Sequence, residues 1–122
     1  MHGQPNVHLT NDAVQKWLPD YGKYEKGNKV SYEDFQAYLA KEHNSRYDFF
    51  GEIYPKIRKM GTDAIRASSK TINPKNKEHC FELFGLDFMI DSNFQPWFIE
   101  CNSNPCLEVS CPLLASIIPA MI

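Results

Sequence analysis

The spacing of apolar and polar positions divides the chain into helical stretches, one hairpin and an apolar end. Residues 1–7 show no period and read as extended chain. In HLTNDAVQKWLP, Ala13, Val14, Trp17 and Leu18 recur at helical spacing behind Thr10 and Asn11, either of which can cap a short helix. Pro19 ends it, and residues 19–30 read as a loop punctuated by Gly22, Gly27 and Asn28. A second helix follows in SYEDFQAYLAKEH, with Ser31 as N-cap, Asp34 at the capping-box position, and a stripe of Phe35, Tyr38 and Leu39.

A longer helix is predicted from Tyr47 to Ser68, with Phe49, Phe50, Ile53, Ile57, Met60, Ala64 and Ile65 on one face. Pro55 predicts a kink in it, and Gly61 weakens it. Residues 69–78 read as a polar surface loop. From Glu82 to Cys106, ELFGLDFMIDSNFQPWFIECNSNPC reads as two strands joined by a tight turn, then a polar loop. The turn is centred on Asn93-Phe94, or runs slightly wider from Ser92 to Gln95. Ser110 and Pro112 open a last helix, PLLASIIPAMI, apolar nearly all round, which something must cover. The fold class is α+β: an antiparallel β-hairpin packed with several helices, in one domain over residues 1–122.

Composition narrows the class. Hydrophobic residues make up 43% and charged residues 23% of the chain, as in an ordinary globular protein. A formal net charge of -2 offers no general attraction for nucleic acid or an anionic membrane. No apolar run approaches the ~20 residues of a membrane helix, and the N-terminus lacks a signal-peptide pattern. The last three cysteines, Cys101, Cys106 and Cys111, are spaced by five, which matches no zinc pairing. With Cys80 they read as reduced thiols in a cytoplasmic protein.

The hairpin carries the candidate chemistry. The expected register sets Asp87 directly across from Glu100, and like charges facing each other across a sheet repel. Apolar neighbours (Phe84, Leu86, Phe88, Trp97, Phe98, Ile99) would desolvate both. A shared proton or a cation relieves the repulsion; alternatively, the two simply face solvent at a sheet edge. Asn102 lies two residues beyond Glu100, on the same side of a continuing strand. Two carboxylates and an amide oxygen form a hard donor set that suits Mg²⁺.

FELFGLDFMID, followed by E-C-N-S-N-P, closely resembles the C-terminal metal-binding segment of the tubulin–tyrosine ligase and tubulin–tyrosine-ligase-like family of ATP-grasp enzymes. HLTNDAVQK and YGKYEKGNKVSYEDFQAYL resemble the segment that precedes it there. The resemblance implies part of an ATP-grasp lobe. It also implies a reaction: ATP activates a carboxylate as an acyl phosphate, and an amine attacks it to give an amide. The amino acid, which is tyrosine, glutamate or glycine, joins a protein such as tubulin or another protein with an acidic tail, in the cytoskeleton or cilium.

On that resemblance Asp87, Glu100 and Asn102 hold Mg²⁺ against the ATP phosphates, Thr10 and Asn11 contact the nucleotide, and Lys29 meets the carboxylate of the incoming amino acid. Read without it, Thr10 and Asn11 are a helix cap, Lys29 belongs to a charged loop, and His8 is a core or cap histidine. Lys56, Arg58, Lys59 and Arg66 could attract an acidic tail, but a solvated helix face is their ordinary reading.

The resemblance covers the last part of the catalytic core. The N-terminal lobe, its phosphate-holding lysines, its adenine-reading hinge strand and an arginine before HLTN have no counterpart in these residues. The polypeptide alone is therefore expected to be catalytically incompetent, with a missing lobe or a larger assembly covering the last helix. The competing expectation is a non-catalytic structural or assembly subunit that retains a ligase-derived fold.

Overall fold

The computed structural model describes residues 9–23, 25–44 and 46–121, so His8 and the first seven residues lie outside the described residues. The described chain is α+β, as expected. It divides into two compact units, one formed by Tyr32–Cys106 and the other by Met1–Ser31 with Leu107–Ile122.

In the Tyr32–Cys106 unit, helix α2 (Tyr32–Glu42) turns Leu39 fully inward. The next helix does not begin at Tyr47. Asp48 accepts a hydrogen bond from the Gly51 amide at 3.0 Å and opens a π-helical turn, Phe49–Ile53. Helix α3 (Tyr54–Ile72) continues from it. Pro55 therefore lies in the first turn of α3, where its missing N–H and fixed φ do no harm, and it makes no mid-helix kink. The helix also runs four residues past Ser68, through part of the stretch expected to be loop. The chain after it is tied by Asn73, whose side chain both accepts from and donates to the Lys77 backbone.

Leu39, Phe49 and Ile53 form the buried centre, with Phe35, Tyr47, Tyr54, Ile57, Ile90 and Phe94 packed around them. Burial of three large side chains of this kind contributes roughly 1.5–3 kcal/mol each. The Phe49 amide, beside this centre, is satisfied by the Gln36 side chain at 2.6 Å.

Strands β1 (Gly85–Ile90) and β2 (Pro96–Asn102) form the expected antiparallel hairpin. Its inner face packs on α3, where Gly61 comes so close to Leu86 that a Cβ at Gly61 would lie 2.8 Å from the Leu86 Cδ1. The glycine that weakened the helix in the sequence is what admits β1. Phe88 and Phe98 meet edge to face at 5.4 Å beside it.

In the other unit, Asn11 caps a one-turn helix α1 (Asp12–Gln15) by accepting from the Ala13 amide at 2.9 Å. Residues 19–30 are not all irregular, since Lys26–Asn28 make a 3-10 turn. Gly27 within that turn has φ 70° and lies against Cys111; a Cβ there would come within 2.8 Å of the Cys111 Cβ. Helix α4 (Pro112–Met121) follows Cys111. It buries Ile118 and leaves Ile117 and Met121 exposed. No described helix is long and apolar enough to cross a membrane.

Candidate metal centre

The loop of the hairpin starts one residue earlier than the widest turn expected and is centred on Asn93. Ile90 pairs with Pro96, so the loop is Asp91–Gln95. Phe94 takes the left-handed conformation at φ 58° and closes the turn by donating its amide to the Asp91 carbonyl at 2.9 Å. Its ring holds that unfavourable backbone in place by lying 4.1 Å from the Tyr47 ring and 4.8 Å from His43, centroid to centroid.

Asp91 organises the loop. One carboxylate oxygen accepts from the amides of Asn93 (2.8 Å) and Gln95 (3.0 Å), and the other accepts from the Trp97 indole (3.0 Å). The Trp97 bond, followed by the Gln95 amide, holds its carboxyl below the usual 3.8. This residue was not singled out from the sequence. An aspartate two residues before an asparagine in a tight turn is the signal that marks it.

Continuous pairing from this turn would set Asp87 against Ile99 and aim Glu100 at α3. A β-bulge between Asp87 and Phe88 on one side, with Ile99 as the extra residue of β2, changes the phase. Phe88 pairs with Phe98, where the expected register would have given it Ile99, and Asp87 pairs with Glu100, as the sequence predicted. Both carboxylates therefore project from the open face of the hairpin, opposite the face that carries Leu86 and Phe88 to α3. They are exposed, so the expected desolvation does not occur; the apolar neighbours that suggested it belong largely to the other face.

Asn102 completes the group. Its Nδ2 donates to the Asp87 Oδ2 at 3.3 Å and to the Glu100 Oε1 at 3.5 Å. One amide thus bridges two carboxylates that would otherwise repel. Among the described residues no three His, Cys, Asp or Glu side chains converge, and the side chain that joins the two carboxylates is the Asn102 amide. Rotating the Asn102 amide by half a turn presents Oδ1 where Nδ2 now lies, which gives three hard oxygens on one open face. That donor set fits Mg²⁺ or Ca²⁺ and has no soft ligand to favour zinc.

Thr10, Asn11 and Lys29 lie in the other unit, whereas Lys56, Arg58, Lys59 and Arg66 lie on α3. Asn11 spends its side-chain oxygen on the cap of α1, which leaves Nδ2 to donate outward. Thr10 is exposed beside it. The Lys29 ammonium lies 3.5 Å from the Asp12 Oδ1 and 3.2 Å from the Gly27 carbonyl. Tyr21 donates to the same Asp12 oxygen at 2.7 Å. This bond, more than Lys29, lowers the pKa of Asp12 and in turn raises that of the Tyr21 phenol. Lys29 thus lies beside the α1 N-terminus, paired with Asp12. Tyr21 and Asp12, which hold it, were not marked by their spacing.

A sequence model described as "Tubulin-tyrosine ligase family" matches residues 2–122. Tubulin glycylase 3B of Tetrahymena thermophila is 38% identical over 112 residues, covering 92% of this chain and 9% of the relative. Tubulin glycylase 3A of Drosophila melanogaster is 40% identical over 119 residues, with 93% and 12% covered. The probable tubulin polyglutamylase TTLL9 of Rattus norvegicus is 36% identical over 104 residues, with 85% and 22% covered. The chain spans less than a quarter of the length of these relatives. A match that runs from residue 2 to the last residue makes this chain a member of the tubulin-tyrosine ligase family.

Proposed function

We propose that residues 1–122 form the metal edge of an ATP-grasp lobe, within a ligase that uses ATP to join glutamate, glycine or tyrosine to a protein such as tubulin in a cytoskeletal or ciliary setting. The observation that carries this reading is the pairing of Asp87 with Glu100 on an open face with Asn102 between them. Family membership and relatives named as tubulin glycylases and polyglutamylases support it.

Asp87 and Glu100 contribute the negative charge for Mg²⁺ and Asn102 the neutral oxygen. Bound there, the ion would neutralise charge on the ATP phosphates as a phosphoryl group leaves. Because all three donors are exposed, the face stays open to a phosphate chain. The Asn11 Nδ2 and the Thr10 hydroxyl would contact the nucleotide. Lys29 would receive the carboxylate of the incoming amino acid, which has to displace Asp12 or share the ammonium with it.

A chimera tests the reading. The matching segment of the Drosophila tubulin glycylase 3A is replaced by residues 1–122, and ATP-dependent incorporation of labelled glycine into tubulin is followed. Incorporation that disappears with Glu100→Gln supports the proposal. A Glu100→Gln chimera as active as its parent overturns it, and would leave these residues a scaffold.

A further inference from the structure

Asp12 and Lys29, both in the unit that holds Met1–Ser31, form an ion pair that is not closed. The Lys29 Nζ stands 3.5 Å from the Asp12 Oδ1, beyond the ~2.7–2.9 Å of a direct charge-assisted hydrogen bond. A neutral group holds each charge more closely. Tyr21 donates to the Asp12 Oδ1 at 2.7 Å, and the Gly27 carbonyl accepts from Lys29 at 3.2 Å. The Tyr21 phenol also reaches the Gly27 carbonyl at 3.3 Å, which ties the two supports together. On Asp12 these contacts fall on Oδ1. Among the described residues, no hydrogen bond or ion pair engages the Asp12 Oδ2. An ammonium carries three donors, so Lys29 keeps at least one beyond Gly27 and Asp12. About half of the Asp12 side chain and a third of Lys29 remain open to solvent.

Resting on the proposal that Lys29 receives the carboxylate of the incoming amino acid, we infer that the Asp12 Oδ2 receives its ammonium. The amino acid then shares Lys29 with Asp12 and does not displace it. An α-amino acid is itself an open ion pair, with ammonium and carboxylate on one carbon. Laid head to tail against Asp12 and Lys29, it makes a ring of four charges that alternate in sign, and each new contact is charge-assisted. The Tyr21 bond, and after it Lys29, lowers the Asp12 pKa, so the carboxyl stays ionised and is a poor base. Asp12 therefore orients the amine and is not the group that takes its proton. The clamp touches only atoms that every α-amino acid shares. It accepts glycine, glutamate and tyrosine alike and leaves the choice among them to residues outside it.

The test titrates the 122-residue chain, free of metal and nucleotide, with glycine and separately with acetate, which has the carboxylate but no ammonium. Shifts of the amides of residues 11–13 and 27–29 in ¹H–¹⁵N spectra report binding, and circular dichroism confirms that each variant is folded. Both ligands shift residues 27–29, and Lys29→Gln abolishes both responses. Glycine also shifts residues 11–13 and binds about tenfold more tightly than acetate, the worth of one more charge-assisted contact. Asp12→Asn removes the partner of the ammonium and, with it, a charge that repels acetate. Glycine should therefore weaken about tenfold in that variant while acetate binds at least as tightly as before. Glycine no tighter than acetate, glycine indifferent to Asp12→Asn, or both ligands weakened together by Asp12→Asn would overturn the role given to Asp12 and leave that of Lys29 standing. A parent chain shifted by neither ligand overturns the reading of Lys29 and the role of Asp12 with it.

Discussion

Asp87 faces Glu100 because Ile99 is an extra residue in β2. Alternation set by the turn alone would aim Glu100 at the Phe88–Phe98 side of the sheet, away from Asp87. The bulge puts both carboxylates on the open face, and Asn102 then bridges them at 3.3 and 3.5 Å. A like-charged cross-strand pair reduces stability. On the proposed reading, its place at the mouth of an otherwise apolar hairpin is explained by the cation it would hold.

Removing one charge of that pair should therefore stabilise the chain in the absence of cations. Glu100→Gln is expected to gain a few tenths of a kcal/mol, the size of an exposed cross-strand repulsion. It should also lose the rise in Tm that added Mg²⁺ gives the parent. Thermal unfolding with and without Mg²⁺ measures both effects. A variant less stable than the parent in chelator would mean that the carboxylates are structural partners.

The turn predicts an acid sensitivity. The Asp91 carboxyl is held below 3.8 by Trp97, Gln95 and Asn93, so the folded chain binds this proton less readily than the unfolded one. The stabilisation is complete above 3.8 and is lost as pH falls through the lower folded value. In a Trp17→Phe background, the indole N–H resonance of Trp97 should titrate with a midpoint below 3.8, and Asp91→Asn should abolish that titration. A midpoint at or above 3.8 contradicts the three-bond arrangement.

Gly27 combines a left-handed backbone with close packing on Cys111. Gly27→Ala adds a methyl where φ is 70° and a Cβ would lie 2.8 Å from the Cys111 Cβ. Left-handed strain and crowding together should destabilise by about 1–2 kcal/mol. Urea unfolding monitored by circular dichroism should show the midpoint fall with an unchanged m-value. An unchanged midpoint would show that the 3-10 turn does not rest on Cys111.

The hairpin and its charged pair were legible because strand period and turn chemistry are local signals. Asp87 opposite Glu100 followed from counting outward from Asn93-Phe94, although the loop is centred on Asn93 and Ile99 makes up the one-residue difference in register. No residue type announces a bulge, so that compensation could not be read. The start of α3 was misplaced for a different reason. Phe49, Phe50 and Ile53 keep a helical period through a π-helical turn, and apolar spacing does not distinguish the two. Pro55 then read as a kink, when it marks a first turn. Gly61 lowered helix propensity, a local cost, and its return is the tertiary contact with Leu86. The anchoring of Lys29 by Asp12 and Tyr21 joins residues up to seventeen apart across a loop, beyond the reach of any local pattern.

The most direct measurement of the central claim is paramagnetic broadening by Mn²⁺, which takes Mg²⁺ sites and reports even weak binding by position. In ¹H–¹⁵N spectra of the chain, low Mn²⁺ should first broaden the amides of Leu86–Phe88 and Glu100–Asn102, and excess Mg²⁺ should restore them. In Glu100→Gln the same addition should leave those amides sharp. Broadening that centres on another acidic surface, or that persists unchanged in Glu100→Gln, would contradict a metal edge built from Asp87, Glu100 and Asn102.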